Sequence, residues 1–170
     1  AGSSNLADLL KGVADNAIIP NYEAQATAIT NFAASTGSLA AYCDAIGTDS
    51  EAATLTTVLN EWNTVMASNQ QADPHDVGPI AVNDDSLRNR IHSFANHDLQ
   101  TCSLDQAVIK QNDADFDLST RSSSQRGFGA IESLIFDTAL TSQCSSNYEN
   151  ATTWNALGDT DKKTQRCSYA

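Results

Sequence analysis

The chain of 170 residues is poor in the residues that build turns, with only 8 glycines and 3 prolines. A β-sandwich, β-barrel or propeller needs many tight turns, so this scarcity disfavours an all-β fold. Bulky apolar side chains are also few, because 33 Leu, Ile, Val and Phe stand beside 25 Ala. Alanine favours helices, and its small side chain lets them approach closely. The composition therefore predicts an alanine-rich helical bundle.

Basic residues are scarce as well, since 9 Lys and Arg face 21 Asp and Glu and the net charge is −12. Binding to nucleic acid needs a surplus of Lys and Arg near the phosphates, so we expect no nucleic-acid partner. No apolar run reaches the roughly 20 residues that span a bilayer. The first ten residues also lack a basic segment followed by an apolar one. We therefore expect a mature, soluble chain.

The four cysteines, Cys43, Cys102, Cys144 and Cys167, form no C-x-x-C pair. A zinc knuckle or a thioredoxin-like redox pair is therefore disfavoured, and two disulfides are predicted instead. Disulfides imply an oxidising compartment, such as the bacterial envelope or the cell exterior. Four cysteines allow three pairings. We expect Cys144–Cys167, which would close a short polar loop around Trp154, and Cys43–Cys102.

Apolar residues recur at helical spacing in several parts of the chain. One stripe predicts a helix over about 20–44, with Pro20 at a place where a helix can start or kink. A clearer stripe at spacings of three and four predicts a second helix over 49–70. We expect these two helices to pack antiparallel. The residues expected in the contact are Ile29, Phe32, Leu55, Leu59 and Trp62. A further apolar run predicts a helix over about 124–141.

Sequence motifs for common enzyme chemistry are absent. The chain has no G-x-S-x-G, no G-x-x-x-x-G-K-[ST] and no H-E-x-x-H. The tetrapeptide Asp73-Pro74-His75-Asp76 offers three side chains that can ligate a metal, so His75 and Asp76 are ligand candidates, with a solvated loop as the simpler alternative. His92 and His97 are five residues apart, a spacing that does not place two side chains on one helix face. We interpret both as surface or packing residues.

One segment has a distinctive combination of residues, RGFGAIESLIF at 126–136. Gly127 and Gly129 stand at the entrance of a strongly apolar helix, and Glu132 follows about one turn later. Glu132 has a phenylalanine four residues away on either side, so we expect it to be partly buried. A buried carboxylate must be neutral, paired or metal-bound. Arg126 is the nearest candidate for a pairing partner.

Residues 126–137, RGFGAIESLIFD, resemble the hallmark segment of the imelysin family, in which Gly-x-His-x-x-Glu precedes a Leu-rich apolar run. The other pieces that match the family, in chain order, are Ile18-Ile19-Pro20-x-Tyr22, Tyr42-Cys43, Trp62, Gly78-Pro79, Cys102-x-x-Asp105-Gln106-Ala107-Val108 and Arg166-Cys167-x-Tyr169-Ala170. The resemblance implies an all-α, up-down helical bundle. It also implies that residues 1–170 are the first of two similar bundles, with the second outside this chain.

The resemblance assigns the motif positions to Gly127, Gly129 and Glu132. Gly129 replaces the family's usual histidine, so Glu132 is the one remaining metal candidate in the motif, with iron or zinc as the metal implied. Arg126, His75 and Asp76 complete the set of possible ligand-binding residues. Because a zinc protease needs about three protein ligands and a general base, the replacement by Gly129 argues against peptidase activity.

The resemblance further implies an exported bacterial protein that is periplasmic or associated with the outer membrane, held there only by an anchor outside this chain. We expect a binding accessory in iron or haem acquisition. The alternatives are a metal-dependent endopeptidase of the imelysin type and a non-catalytic helical scaffold. The expected partners are the second bundle, as a further fragment or chain, and proteins of iron or haem uptake.

Overall fold

A computed structural model describes residues 5–93 and 99–170, which contain helices, turns and no strand. The all-α prediction is therefore confirmed. The α-helices in chain order are α1 (Leu6–Val13), α2 (Ile19–Ala33), α3 (Ser38–Ala45), α4 (Glu51–Ala72), α5 (Ser86–His92), α6 (Thr101–Lys110), α7 (Phe128–Phe136), α8 (Glu149–Asn155) and α9 (Asp159–Tyr169). No helix in the described ranges is long and apolar enough to cross a membrane.

The chain divides into two compact units, residues 1–76 and residues 77–170. The first unit contains α1 to α4, and the second contains α5 to α9. The expected second bundle beyond residue 170 stays a prediction.

A π-helical turn joins α1 to α2 into one continuous helical segment. Pro20 lies inside this segment and is not at either end of it. The turn spans Ala14–Ile18, and Pro20 is the second residue of α2. Proline has no N–H, and in a regular α-helix its ring clashes with the carbonyl four residues earlier. The wider π turn lies where that clash would occur, so the helix continues from Leu6 to Ala33.

The helix predicted over 20–44 is interrupted at residues 34–37, where the chain turns before α3. A Cβ atom at Gly37 would lie 2.4 Å from the Asn31 carbonyl oxygen and 2.6 Å from that of Phe32. Only glycine allows the chain to fold back this closely on the end of α2. The prediction of one continuous helix was therefore wrong, because the break depends on a close approach that periodicity does not show.

The antiparallel packing of α2 against α4 agrees with the sequence-based expectation, but Leu59 is 41% exposed, so its predicted place in the contact was wrong. The Phe32 and Trp62 rings are 5.2 Å apart between centroids, and both side chains are almost fully buried. Gln25, nearer the start of α2, donates a 2.6 Å hydrogen bond to Asn69, nearer the end of α4. From Gln25 to Phe32 the chain advances along α2, while the contacted residues go back along α4 from Asn69 to Trp62. The two helices are therefore antiparallel.

The second unit has its own apolar core between α6, α7 and α8. Its buried members are Leu104, Val108, Ala130, Leu134 and Trp154. Tyr169 of α9 packs against this cluster. Helix α7 is shorter than the predicted 124–141, because Gly127 has a positive φ of 93° and Asp137 is extended. The core therefore fixes α7, the helix that carries Glu132.

Candidate functional site

Two glycines let the end of α5 lie directly against the start of α7. A Cβ at Gly127 would be 2.4 Å from the Arg90 carbonyl oxygen and 2.5 Å from that of Ile91. A Cβ at Gly129 would be 3.1 Å from the His92 carbonyl oxygen and 3.2 Å from the Cβ of Ser93. The glycines of the hallmark segment are therefore packing residues, because larger side chains would separate the two helices.

Ser93 caps α7 from another part of the chain. It ends α5 with a φ of 68° and is fully buried. Its Oγ accepts a 3.0 Å hydrogen bond from the Ala130 N–H and donates a 2.6 Å bond to the Arg126 carbonyl. Ser93 thereby satisfies one of the N–H groups that the first turn of a helix leaves unpaired. Sequence reasoning missed this residue, because no local pattern marks a cap supplied from 37 residues away.

Glu132 is exposed, so the expectation of partial burial was wrong. Gly129, Glu132, Ser133 and Phe136 lie on one face of α7, and together with Leu99 and Asp137 they line an open cavity of about 360 Å³. We call it the Glu132 cavity. The buried side chains of α7, among them Ala130 and Leu134, pack into the core on other sides of the helix. Glu132 is therefore placed to meet a ligand from solvent.

Arg126 does not pair with Glu132. Its Nη1 donates to the Ser119 carbonyl at 2.7 Å and to the Leu118 carbonyl at 3.4 Å. These carbonyls belong to a short 3-10 helix, Leu118–Thr120. Arg126 therefore binds main-chain oxygens near the N-terminal end of α7. The expected ion pair with Glu132 does not form.

His75 and Asp76 lie in the first unit, directly after α4. His75 Nε2 is 2.8 Å from Asn21 Nδ2, and the His75 carbonyl accepts a 2.9 Å hydrogen bond from the Tyr22 hydroxyl. Asp76 is exposed. The imidazole is thus engaged with α2, whereas Glu132 and Arg126 belong to the second unit.

No three or more His, Cys, Asp or Glu side chains are grouped to hold a metal ion within residues 5–93 and 99–170. His92 makes an edge contact with Phe128, with 6.2 Å between ring centroids. This contact agrees with its interpretation as a packing residue. His97 lies outside the described residues. The described oxygen donors around the Glu132 cavity are therefore the side chains of Glu132, Ser133 and Asp137.

A buried charged pair holds the chain that follows α7. Arg166 of α9 and Asp105 of α6 are both almost fully buried, and Arg166 Nη2 is 3.9 Å from Asp105 Oδ1. Arg166 also donates to the carbonyls of Asp137 and Ala139, at 3.0 Å and 2.9 Å. The guanidinium therefore fixes the first residues of the segment 137–144, which continues from the Glu132 cavity.

Asp105 fixes the other end of the same segment. Its Oδ2 accepts from the Gln143 N–H at 2.8 Å and from the Ser142 hydroxyl at 3.2 Å. Burial raises the pKa of Asp105 above 3.8, although the Gln143 hydrogen bond, the Arg166 charge and the Ser142 hydrogen bond each lower it. Desolvation is the largest effect because the carboxylate leaves water almost completely. Asp105 and Arg166 appeared in the sequence only as parts of family-like motifs.

The disulfide of this region corrects the predicted pairing. Cys102 is bonded to Cys144, at the end of the 137–144 segment, so neither Cys43–Cys102 nor Cys144–Cys167 forms. Cys43 and Cys167 are also disulfide-bonded, and no described cysteine is free. The two predicted disulfides are confirmed in number. The fold brings the Cα atoms of Cys102 and Cys144 within 4.5 Å, a proximity that spacing in the sequence does not show. The loop around Trp154 also has a core of its own, and Trp154 Nε1 donates a hydrogen bond to the Leu140 carbonyl.

The family model described as Imelysin matches residues 18–169. The match covers most of the chain and includes the hallmark segment, so the resemblance seen in the sequence is confirmed. Comparisons with curated proteins and with solved structures returned no match.

Proposed function

The chain belongs to the imelysin family, and we propose that it is a binding accessory of the bacterial cell envelope in iron or haem acquisition, without peptidase activity. One observation carries this proposal. The position that resembles the family's histidine is Gly129, and it lies against the His92 carbonyl and Ser93 with no room for a side chain unless α5 moves. Glycine at this point supplies no side chain to ligate a metal, and a larger residue would need α5 to shift by a few tenths of an ångström.

The donor set around the Glu132 cavity supports binding in preference to zinc hydrolysis. A catalytic zinc site uses about three nitrogen, sulfur or carboxylate ligands and keeps one position open. The side chains here offer the carboxylates of Glu132 and Asp137 and the hydroxyl of Ser133. Oxygen donors of this kind suit hard cations. The residues therefore do not fit a catalytic zinc centre, and we derive no hydrolytic step from them.

An envelope location accords with the disulfides. The Cys102–Cys144 bond, and the absence of a free cysteine among the described residues, are compatible with an oxidising extracytoplasmic compartment. A periplasmic or outer-membrane-associated site, with any membrane anchor outside this chain, is the finer proposal. The partners we propose are a second helical bundle and proteins of iron or haem uptake.

Binding is tested on the purified protein by calorimetric titration with Fe³⁺, Zn²⁺ and haem, each added separately. We expect saturable binding of iron or haem that is at least about tenfold weaker in Glu132→Gln, the scale of one lost charged contact. Glu61→Gln is the matched control, because Glu61 is an exposed glutamate of α4 in the first unit. Equal binding by both variants, or no binding by the native protein, would contradict the proposal.

Peptidase activity is tested with casein and insulin B chain. We expect no cleavage above that of Glu132→Gln. Cleavage that is abolished both by this substitution and by a chelator would favour the alternative, a metal-dependent endopeptidase completed by other residues. In that case Gly129 would not be the position that decides the activity.

A further inference from the structure

A second cavity lies on another side of α7 from Glu132, at the beginning of the helix. Its volume is about 220 Å³. Leu118, Ile131 and Leu134 supply apolar walls, Arg126 contributes a polar one, and Tyr169 and Ala170 close one side. We call it the Arg126 cavity. All of these residues belong to the second unit.

The cavity has one cationic group with unused hydrogen-bonding capacity. Arg126 donates hydrogen bonds from Nη1 to the Ser119 and Leu118 carbonyls. Its Nε is buried with no hydrogen-bond partner among the described residues. No described residue accepts from Nη2 either. Because Nε is buried, Nη2 is the group of Arg126 that remains available to donate to a carboxylate.

Two arginines, Arg121 and Arg126, act on the Tyr169 wall of this cavity in a chain whose net charge is −12. Arg121 lies over the Phe116 ring, 4.9 Å from its centroid, and Phe116 contacts Tyr169 edge-on at 6.0 Å. The charges of Arg121 and Arg126 both lower the pKa of Tyr169, against a larger rise caused by burial. Asp117 is the acidic group that interacts with both arginines, and its carboxylate is hydrogen-bonded to the Ser119 N–H. Arg121 therefore adds a second cation near Arg126, and Asp117 is an anion that interacts with both.

We propose that the Arg126 cavity binds a small organic acid, with its carboxylate beside Arg126 and a short apolar chain against Leu118, Ile131 and Leu134. The size sets the class of ligand, since pockets for drug-sized molecules measure about 300–1,000 Å³. At about 220 Å³ this cavity holds only a shorter molecule. The Tyr169 hydroxyl donates to the Gln125 carbonyl at 2.7 Å, so Tyr169 forms a wall and Arg126 is the anion-binding group.

Calorimetric titration of the whole chain with sodium hexanoate tests the proposal, with hexylammonium and hexanol as probes of the same length. We expect saturable binding of hexanoate and no saturable binding of hexylammonium or hexanol. Arg126→Gln should weaken hexanoate binding at least about tenfold, because one charged hydrogen bond is removed. Arg90→Gln is the matched control, since Arg90 is an exposed arginine of α5, and it should leave binding unchanged.

Leu118→Trp provides a second variant that does not depend on Arg126. Leu118 is 44% exposed, so an indole can enter the cavity from its edge without loss of core packing. We expect this variant to keep the native circular dichroism spectrum and to bind hexanoate at least about tenfold more weakly. No saturable binding by the native chain up to about 10 mM, or equal binding by native, Arg126→Gln and folded Leu118→Trp proteins, would overturn the proposal. Glu132→Gln should not change hexanoate binding, which separates this site from the proposed iron or haem site.

Discussion

The two units of the chain differ in the polar groups that they bury. In the first unit the buried polar side chains are neutral, and Gln25 and Asn69 pair across α2 and α4. In the second unit the buried side chains include the charged groups of Asp105, Lys162 and Arg166. The first unit joins regular helices, whereas the second must also hold the irregular segment 137–144.

The difference follows from where main-chain hydrogen bonds can be made. Residues inside α2 and α4 satisfy their own backbone groups, so a side-chain pair between these helices is additional. The 137–144 segment has no helix to satisfy its backbone, and Arg166 and Asp105 supply that need at Asp137, Ala139 and Gln143. The buried charges of Arg166 and Asp105 therefore serve the irregular backbone of the 137–144 segment, which lies next to the Glu132 cavity.

The largest effect should come from removing the buried guanidinium of Arg166 in the second unit. Arg166→Met leaves Asp105 without its ion partner and two main-chain carbonyls without donors. Breaking a buried pair in this way costs about 3–5 kcal/mol of unfolding free energy. Urea unfolding followed by circular dichroism measures the loss. Arg90→Met, at an exposed position of α5, should change stability by less than about 0.5 kcal/mol. Equal effects of the two changes would show that the buried contacts of Arg166 do not stabilise the second unit more than an exposed arginine does.

A somewhat smaller loss is expected at Gly127. Gly127→Ala forces an alanine into a φ of 93° and brings its Cβ within 2.5 Å of two carbonyl oxygens of α5. Backbone strain and overpacking each cost about 1–3 kcal/mol, so a loss of about 2–4 kcal/mol is expected in thermal or urea unfolding. Gly12→Ala is the control in the first unit, where nothing lies within 4 Å. It should stabilise α1 by up to about 1 kcal/mol.

The sequence was most informative where helices are long and regular. The prediction of a helix over 49–70 agrees with Glu51–Ala72, and Trp62 is buried as its stripe indicates. Long periodic segments give many consistent positions, so the helix can be recognised. Its buried face was recognised only at Trp62, because Leu59 of the predicted stripe is 41% exposed and the neighbouring Val58 and Val65 are buried instead. The all-α class and the membership of the imelysin family were likewise recognisable from the sequence alone.

The site was less predictable because its contacts join distant parts of the chain. Glu132 has phenylalanines one turn away on its own helix, yet exposure depends on which other elements cover that face. Ser93 caps α7 across 37 residues, and Cys102 bonds to Cys144 across 42. Local spacing carries no information on such contacts. The break before α3 was missed for a similar reason, since it requires Gly37 to touch the preceding helix.

The neutral pair of the first unit should tolerate replacement better than the charges of the second. Gln25→Leu leaves the Asn69 amide buried without its partner and should cost about 1–3 kcal/mol. Replacing both residues by leucine removes the unsatisfied group, and the double variant should approach native stability within about 1 kcal/mol. A double-mutant cycle by urea unfolding measures the coupling. Additive losses would show that Gln25 and Asn69 contribute independently, with no coupling energy between them.

The smallest effect is expected in the pH dependence of the second unit. Burial raises the pKa of Asp105 above 3.8, so the folded state binds this proton more tightly than the unfolded state does. Asp105 therefore contributes most to stability below that pH, and its contribution is lost as pH rises through the raised pKa. Asp105→Asn removes the titration, so the native stability minus that of the variant should fall between about pH 3 and pH 7. Asp113→Asn, at an exposed aspartate, is the matched control, and its difference from the native chain should show no such fall.

A difference for Asp105→Asn that instead grows with pH would mean that Arg166 and the Gln143 N–H stabilise the carboxylate more than burial disfavours it. The Asp105–Arg166 ion pair would then stabilise the second unit more as pH rises from about 3 to about 7. The buried charges of the second unit would in that case contribute a pH-dependent stability that the neutral Gln25–Asn69 pair of the first unit lacks.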